Sequence, residues 1–151
     1  MQTSDLVKAH GSFQILSLEN DKVVWESPVM ENKILTAGLN LIIQHHNGVT
    51  TNPLEITSLE IGSGSTAVSS GDTALATLVL AGVVPARVTP STTSIVIEFF
   101  ITDAELANGT YREIGLRAAS TLYTRALFTT PYVKAAGRDT IIRYTLSYAA
   151  T

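Results

Sequence analysis

A glycine- and serine-rich segment, Gly62-Ser-Gly-Ser-Thr-Ala67, has the composition of a loop that could cradle a phosphate group. A Walker loop also needs a lysine followed by serine or threonine after its last glycine, because those groups reach the phosphate and the magnesium ion. No lysine lies between Lys33 and Lys134. We therefore expect a structural turn, in which Gly62 adopts a positive φ where the strand must reverse.

Two further groups of residues have the types that bind metals or hydrolyse bonds. His45 and His46 are adjacent near the end of a helical pattern. Neighbouring residues point about 100° apart on a helix, so the two imidazoles do not face one metal ion. Asp103 and Glu105 are close in sequence, but hydrolysis by two carboxylates needs them on opposite sides of a cleft. Since they precede a turn signal, we expect them to be solvated.

Nucleophilic and ionic residues give no catalytic pattern either. Serine is common, but the chain contains no Gly-x-Ser-x-Gly elbow. Four charged residues interrupt otherwise neutral strands, and we expect them to be solvent-exposed or to pair with a partner subunit: Arg112, Glu113, Arg117 and Arg125. The sequence therefore predicts no enzymatic activity, with no catalytic, cofactor-binding or metal-binding residues.

The composition favours one domain, residues 1–151, with an unusually neutral surface. Charged residues make up 15% of the chain, well below the usual quarter. Serine, threonine and alanine take their place, and such a surface suits burial against partner subunits, although a monomer with a Ser/Thr surface fits the same numbers. A net charge of −3 without a basic patch argues against nucleic acid as a partner.

Neither membrane association nor disulfide chemistry is indicated. The chain has no cysteine, so disulfides and thiolate metal sites are impossible. The segment Met1–Lys8 has no apolar signal core. The longest apolar run, Leu78–Ala86, is far too short to span a bilayer. We expect a protein that is made and used in soluble form, without a membrane partner.

The first part of the chain predicts a hairpin followed by a helix. Phe13–Leu18 and Lys22–Ser27 alternate as strands around the turn residues Glu19–Asp21, and Pro28 stops the second strand. Thr36 is a plausible N-cap, and Asn47-Gly48 ends the helix. Its apolar face is expected to contain Leu39, Ile42 and Ile43. Gly38 lies inside this helix, where it indicates close packing against a sheet.

Short strands dominate the remainder. Glu55–Ile61 alternates, Asp72 is expected to cap a short helix through Leu78, and Pro85 interrupts a strand over Val83–Val88. Ser94–Ile101 is the clearest strand, with apolar residues on both faces, and we expect both to be covered. Three more strands are predicted: Thr110–Arg117, Leu122–Phe128 and one that opens at Arg138-Asp139. About eight strands with regular turn signals and one or two short helices predict an antiparallel β-sandwich or jelly-roll-like domain.

The order of several motifs resembles a family of small β-rich virion structural proteins of tailed bacteriophages. The motifs are Thr36-Ala-Gly-Leu39, Leu59-Glu-Ile-Gly-Ser-Gly-Ser-Thr66, Asp72-Thr-Ala-Leu75, Asn108-Gly-Thr-Tyr-Arg-Glu-Ile-Gly-Leu116 and Ile141-Ile-Arg-Tyr-Thr-Leu146. The resemblance covers most of the chain and, more weakly, extends to the attachment domains of phage tail fibres. It implies a virion structural protein, and it carries over no functional residues.

Three functions are compatible with this resemblance and composition. The first is a capsid decoration or cement protein that forms a homo-oligomer, expected to be a trimer, and binds the major capsid protein. The second is a tail or baseplate adaptor that anchors a fibre. The third is a carbohydrate-binding module, although the chain's one tryptophan, Trp25, lies in a hairpin strand. The first is favoured because no long repetitive segment follows, and it predicts location in the virion, after assembly in the bacterial host cytoplasm.

Overall fold

Two antiparallel β-sheets and one helix make up the computed structural model, which describes residues 7–150. Most of the N-terminal segment discussed above, residues 1–6, lies outside the described residues, as does Thr151. The elements are β1 Val7–Glu19, β2 Lys22–Glu26, β3 Met30–Glu31, β4 Lys33–Ile34, α1 Thr36–His46, β5 Ser58–Gly62, β6 Leu78–Val83, β7 Arg87–Pro90, β8 Ser94–Ile101, β9 Gly109–Ala118, β10 Thr121–Lys134 and β11 Asp139–Ala150.

The chain passes repeatedly between the two sheets. The first sheet has the order β2-β1-β11-β8-β7, with β3 also paired to β1, and the second has the order β4-β10-β9-β5-β6. The connections β6–β7, β8–β9 and β10–β11 each lead from one sheet to the other. The predicted fold class, a mainly β antiparallel sandwich with a short helix, is confirmed.

Aromatic side chains join the two sheets in the core. Phe13 of β1 stacks on Tyr144 of β11 with ring centroids 6.1 Å apart. It also meets Phe128 of β10, from the opposite sheet, at 5.6 Å. The Tyr144 hydroxyl donates across the sandwich to Thr124 Oγ1 at 3.1 Å. Alternating strands thus bury one side chain in two, as sheets that pack face to face require.

Several sequence predictions are confirmed. The β1–β2 hairpin turns at Asn20 and Asp21, whose φ values of 49° and 63° are tolerated best by such short polar residues. The predicted strand Ser94–Ile101 is β8. The expectation that both of its faces are covered is wrong within this chain, because Phe100 points outward and is 42% exposed.

The helix was located correctly, but two of its details were wrong. Its N-cap is Leu35 rather than Thr36, and no side chain caps it. Leu35 is buried in the core, so burial at the boundary prevails over the capping preference of threonine. The packed face contains Gly38 and Leu41, whereas Leu39 and Ile43 are mostly exposed.

Two predictions in the middle of the chain were also wrong. No helix forms after Asp72; the segment to Thr77 is irregular, and β6 begins at Leu78. The predicted strand over Val83–Val88 is divided between two strands: Val83 ends β6, Arg87 and Val88 begin β7, and Pro85 lies in the crossing between them. The sequence pattern does not reveal this, because an apolar run without a clear period fits either a strand or a connection between strands.

The strands at the sheet edges are short or irregular in the described part of the chain. In β6 the pairing with β5 shifts register twice, and Gly82 has a φ of 75°. β7 ends in Pro90, which has no N–H to donate. At the other edges, β2 shifts register against β1, and β4 has two residues. Such features limit pairing with further strands.

The position of Gly38 generates a test of the helix packing. A Cβ at this residue would lie 2.6 Å from the Tyr123 carbonyl oxygen and 2.9 Å from Tyr123 Cδ2. We expect Gly38→Ala to lower the free energy of unfolding by about 1–3 kcal/mol, because α1 must move away from β10. Urea unfolding measures this. Gly71→Ala is the control, since a Cβ there meets nothing within 4 Å, and equal stability of the two variants would contradict the close packing.

Candidate functional site

A buried ion pair between β9 and β10 is the most constrained polar feature of the described chain. The side chains of Glu113 and Arg125 are 0% and 2% exposed. Arg125 Nη2 donates to Glu113 Oε2 at 2.9 Å, and Nε donates to the same oxygen at 3.1 Å. The expectation that these residues face solvent or a partner subunit is therefore wrong, and they form an internal network.

The Glu113 carboxylate also accepts hydrogen bonds from the backbone of the irregular segment 63–77. It accepts hydrogen bonds from the N–H groups of Gly64 at 3.1 Å, Ala76 at 3.0 Å and Thr77 at 2.7 Å. Gly64 and Thr77 lie near opposite ends of the segment, so one carboxylate closes it into a loop. We call residues 63–77 the pinned loop.

Arg125 holds the middle of the pinned loop. Its Nη1 donates to Asp72 Oδ2 at 2.6 Å and its Nη2 to the Thr66 carbonyl at 2.8 Å. Asp72 also accepts from the Ser69 N–H at 2.9 Å. The residue that was expected to cap a helix thus closes a tight turn and binds a guanidinium, since short acidic side chains readily bond their own neighbouring backbone.

The network keeps its carboxylates ionised. Burial alone would raise the pKa of Glu113, but the hydrogen bonds from Thr77, Ala76 and Arg125 outweigh it and leave the pKa below its ordinary value. The Ser69 N–H, followed by Arg125, lowers the pKa of Asp72. Burial opposes the charge of Arg125, yet both carboxylates together raise its pKa. Full pairing is what makes burial of these charges tolerable.

Gly62, the last residue of β5 before the pinned loop, has a different role from the one predicted. Gly62 does not have a positive φ. A Cβ at Gly62 would come within 2.6 Å of Glu113 Oε1, and one at Gly64 within 2.5 Å of the same atom. These glycines are therefore needed because the backbone approaches the buried carboxylate closely.

The other candidate residues serve local structure. His45 Nε2 lies 2.8 Å from the Asn52 carbonyl oxygen, and His46 is exposed at the end of α1. Glu105 accepts from the N–H and hydroxyl of Thr102, both at 2.8 Å. Arg117 pairs with the buried Glu60. No group of three potential ligands of a metal occurs within residues 7–150.

Asp103 does not pair with Glu105 but with a buried lysine. Lys134, the last residue of β10, has a side chain that is 0% exposed, and its Nζ donates to Asp103 Oδ1. The Lys134 hydrogen bond, which outweighs the effect of burial, lowers the pKa of Asp103. Sequence reasoning missed Lys134, although a lysine that alternation places on an inward-facing position of a strand is a usable signal.

An apolar groove of about 600 Å³ lies beside the segment that precedes β5. The segment Leu54–Thr57 forms one wall, and Val88, Ile95, Tyr123 and Tyr148 contribute to the others. The hydroxyls of Tyr123 and Tyr148 are 3.1 Å apart, and burial raises the pKa of Tyr123. Val88 and Tyr148 are 47% and 40% exposed, so the groove is open to solvent and predominantly apolar.

The chain's one tryptophan, Trp25, has one face of its indole ring covered by the protein itself. Trp25 stacks on Tyr132, with ring centroids 5.5 Å apart and planes 22° from parallel. It also borders a hollow of about 320 Å³ that includes Arg138 and Thr130. One face of the indole is thus occupied by the protein itself.

Comparison with known proteins gives no relative. No protein-family model, no curated protein and no solved structure matches the chain. Within residues 7–150, no helix is long and apolar enough to cross a membrane.

Removal of the guanidinium tests the network. We expect Arg125→Met to lower the free energy of unfolding by about 3–5 kcal/mol, because the buried Glu113 carboxylate loses its countercharge. Arg112→Met, on an exposed position of the same sheet, should change it by less than about 0.5 kcal/mol. Chemical denaturation of both variants measures the difference. Equal effects would show that the buried pair contributes nothing specific.

The lowered pKa values generate a pH dependence of stability. A carboxyl whose pKa is depressed in the folded state stabilises the protein above its unfolded-state pKa, and this contribution is lost as pH falls through the folded-state pKa. For Glu113 the loss therefore lies below about pH 4.5, its ordinary value. We expect the stability gap between the native chain and Glu113→Gln to be constant from pH 7 to about pH 5 and to shrink in more acidic solution. A gap that widens on acidification would contradict the assignment.

Proposed function

We propose that the protein is a non-enzymatic virion structural protein of a tailed bacteriophage, a capsid decoration protein that oligomerises and stabilises the head shell. The supporting observation is the pinned loop, an exposed and almost uncharged segment fixed by a buried ion network. In addition, the order of the motifs resembles the phage virion family. A protein that functions in assembly would bind its partners through exposed surfaces of this kind.

The pinned loop has the properties of a docking surface. Residues 65–67 at its tip are exposed, while Arg125 holds the carbonyls of Thr66 and Ala67 from below. Asp72 is the one charged residue in the loop, and Arg125 neutralises it. A loop that is already ordered loses little conformational entropy when a partner binds, so its contacts contribute more fully to affinity.

The apolar groove supplies a second surface, which we assign to contact between copies of the chain. Val84, Val88 and Tyr148 leave 68%, 47% and 40% of their surface exposed, and apolar exposure concentrated around a groove is typical of protein interfaces. The groove borders the segment before β5 and the pinned loop follows β5. A five-residue strand is about 16 Å long, so each surface can bind a different partner.

The irregular strand edges favour a closed assembly over an open one. Bulges, a proline and short length restrict pairing of β6, β7 and β4 with further strands. Contacts between copies then form through side-chain surfaces such as the groove. Repetition of one such contact closes a ring, and we propose a trimer that binds the major capsid protein through its pinned loops.

A tail or baseplate adaptor is the alternative within the same class, because it would use the same kind of surfaces at a different place in the particle. Copy number separates the two. Hundreds of copies per virion indicate the shell, whereas a dozen or fewer indicate the tail. A carbohydrate-binding module has less support, since Tyr132 covers one face of Trp25.

Charges placed on the two surfaces test the proposal. We expect Val88→Lys to convert the oligomer into monomers, because a lysine in the groove would have to be desolvated. Ser65→Lys, at the exposed tip of the pinned loop, should preserve the oligomer but reduce binding to particles lacking the protein at least about tenfold. Light scattering and co-sedimentation measure the two effects.

Val133→Lys is the matched control, because Val133 is 68% exposed and belongs to neither surface. It should oligomerise and bind like the native chain. If the native chain is a monomer in solution and on the particle, the oligomer is refuted. If particles without the protein resist heat as well as complete ones, the cement role is refuted and the tail position becomes the better hypothesis.

A further inference from the structure

The contacts of the buried Lys134 bring together three groups that can react with one another. Its Nζ donates to Asp103 Oδ1, to Asn108 Oδ1 at 3.2 Å and to the Ala135 carbonyl at 3.2 Å. Asp103 and Asn108 both belong to the connection between β8 and β9. Lys134 pairs in register with Gly109, so the strands themselves hold its side chain beside Asn108.

We propose that Lys134 and Asn108 join through a side-chain amide bond, with Asp103 as the proton-transferring catalytic residue. An amine, a carboxamide and a carboxyl group are sufficient for this reaction, and no cofactor or external reagent is needed. The protein would thus modify itself after folding. The proposal is independent of the assembly function, because it concerns one chain alone.

The reaction balances within these three groups. The Lys134 ammonium gives a proton to the Asp103 carboxylate, and the neutral amine attacks Asn108 Cγ. A bond forms between Lys134 Nζ and Cγ, and the bond between Cγ and Asn108 Nδ2 breaks. Asp103 passes this proton to Asn108 Nδ2 as that nitrogen departs, and the carboxylate then takes a second proton from Lys134 Nζ and passes it to the released ammonia. Ammonia leaves as ammonium, Asp103 returns to the carboxylate form, and no atom is oxidised or reduced.

The geometry places the reactants close to one another without further folding. Asn108 Cγ is one bond from Oδ1, the atom that already accepts from Lys134 Nζ. Rotation about the soft terminal torsion of asparagine turns the face of the carboxamide toward the amine. Holding two reactants in this manner replaces a bimolecular step by an intramolecular one and greatly raises the effective concentration.

Before the reaction, Lys134 and Asp103 form an ion pair, and this determines the expected rate of amide formation. The hydrogen bond from Lys134 lowers the pKa of the Asp103 carboxyl, so transfer of a proton to this carboxylate is unfavourable. The reaction is therefore a slow maturation, measured over hours to days. The Lys134 side chain is 0% exposed, whereas that of Asp103 is 45% exposed, so the amine is shielded from water while ammonium can leave past the carboxyl.

The product would close the chain covalently between residues 108 and 134. It would join the end of β10 to the residue that precedes β9 and would remove one buried cation. A cross-link of this kind restricts the unfolded chain. We therefore expect the melting temperature to rise as the reaction proceeds.

Mass spectrometry of the full-length native chain, stored at 37 °C after purification, is the decisive experiment. The intact mass should fall by about 17 Da, the mass of one ammonia molecule. Trypsin cannot cut after an acylated lysine, so digestion should give a branched peptide that joins residues 88–112 to residues 126–138. Lys134→Arg keeps the cation but removes the amine and should abolish both signals. Asp103→Ala, which removes the carboxylate without adding a second carboxamide, should slow the reaction at least about tenfold.

Ring closure at Asn108-Gly109 would also release ammonia, and the variants separate the two reactions. If Lys134→Arg loses the same mass, that local ring closure is responsible and the cross-link is refuted. If the aged native chain keeps its full mass and trypsin cuts normally after Lys134, the cross-link is also refuted. Lys33→Arg, which changes a lysine outside the cluster, is the control and should react like the native chain.

Discussion

The buried pair of Glu113 and Arg125 is the constraint on which the least regular part of the structure depends. A loop of fifteen residues without helix or strand, the pinned loop 63–77, has many backbone groups that need partners. Burial without partners would cost free energy at each group. One carboxylate satisfies three of its N–H groups, and one guanidinium satisfies two of its carbonyls. The two charges in turn make each other's burial possible.

This arrangement explains the low surface charge in part. Several of the charged residues are used inside or between strands: Glu113 and Arg125, Glu60 and Arg117, and Lys134 with Asp103. Charged residues make up 15% of the chain. Because several of them are paired inside the protein, neutral loops and apolar groove walls remain on its surface. Its irregular strand edges then prevent indiscriminate association through open sheets. The pairing of charges in the interior therefore contributes to the neutral character of the surfaces that we assign to assembly.

The sequence predicted the sandwich but not its polar interior. Strict alternation identified β8 and β11, and turn residues identified the β1–β2 hairpin, because those signals are local. The network could not be predicted in this way, since Glu113 and Asp72 are far apart in sequence and meet only through tertiary packing. Helix α1 shows the same limit. The helical periodicity of its apolar residues predicted its position, but the burial of Leu35 and the close approach of Tyr123 to Gly38 determine which face packs against the sheet. The predicted helix at Asp72 does not form, because the carboxylate that was expected to cap it binds Arg125 instead.

The two deeply buried cations of the described chain differ in chemistry, and the difference matters more than their similar burial. Arg125 presents a planar guanidinium that stays protonated and forms fixed, multiple hydrogen bonds, so it can act only as a brace. Lys134 carries a primary amine, which becomes a nucleophile once a proton moves to a neighbouring carboxylate. Arg125 faces two carboxylates and backbone carbonyls, and its protonated guanidinium does not attack any of them. Lys134 faces a carboxamide as well as a carboxylate, and this extra group turns a structural ion pair into a reactive one.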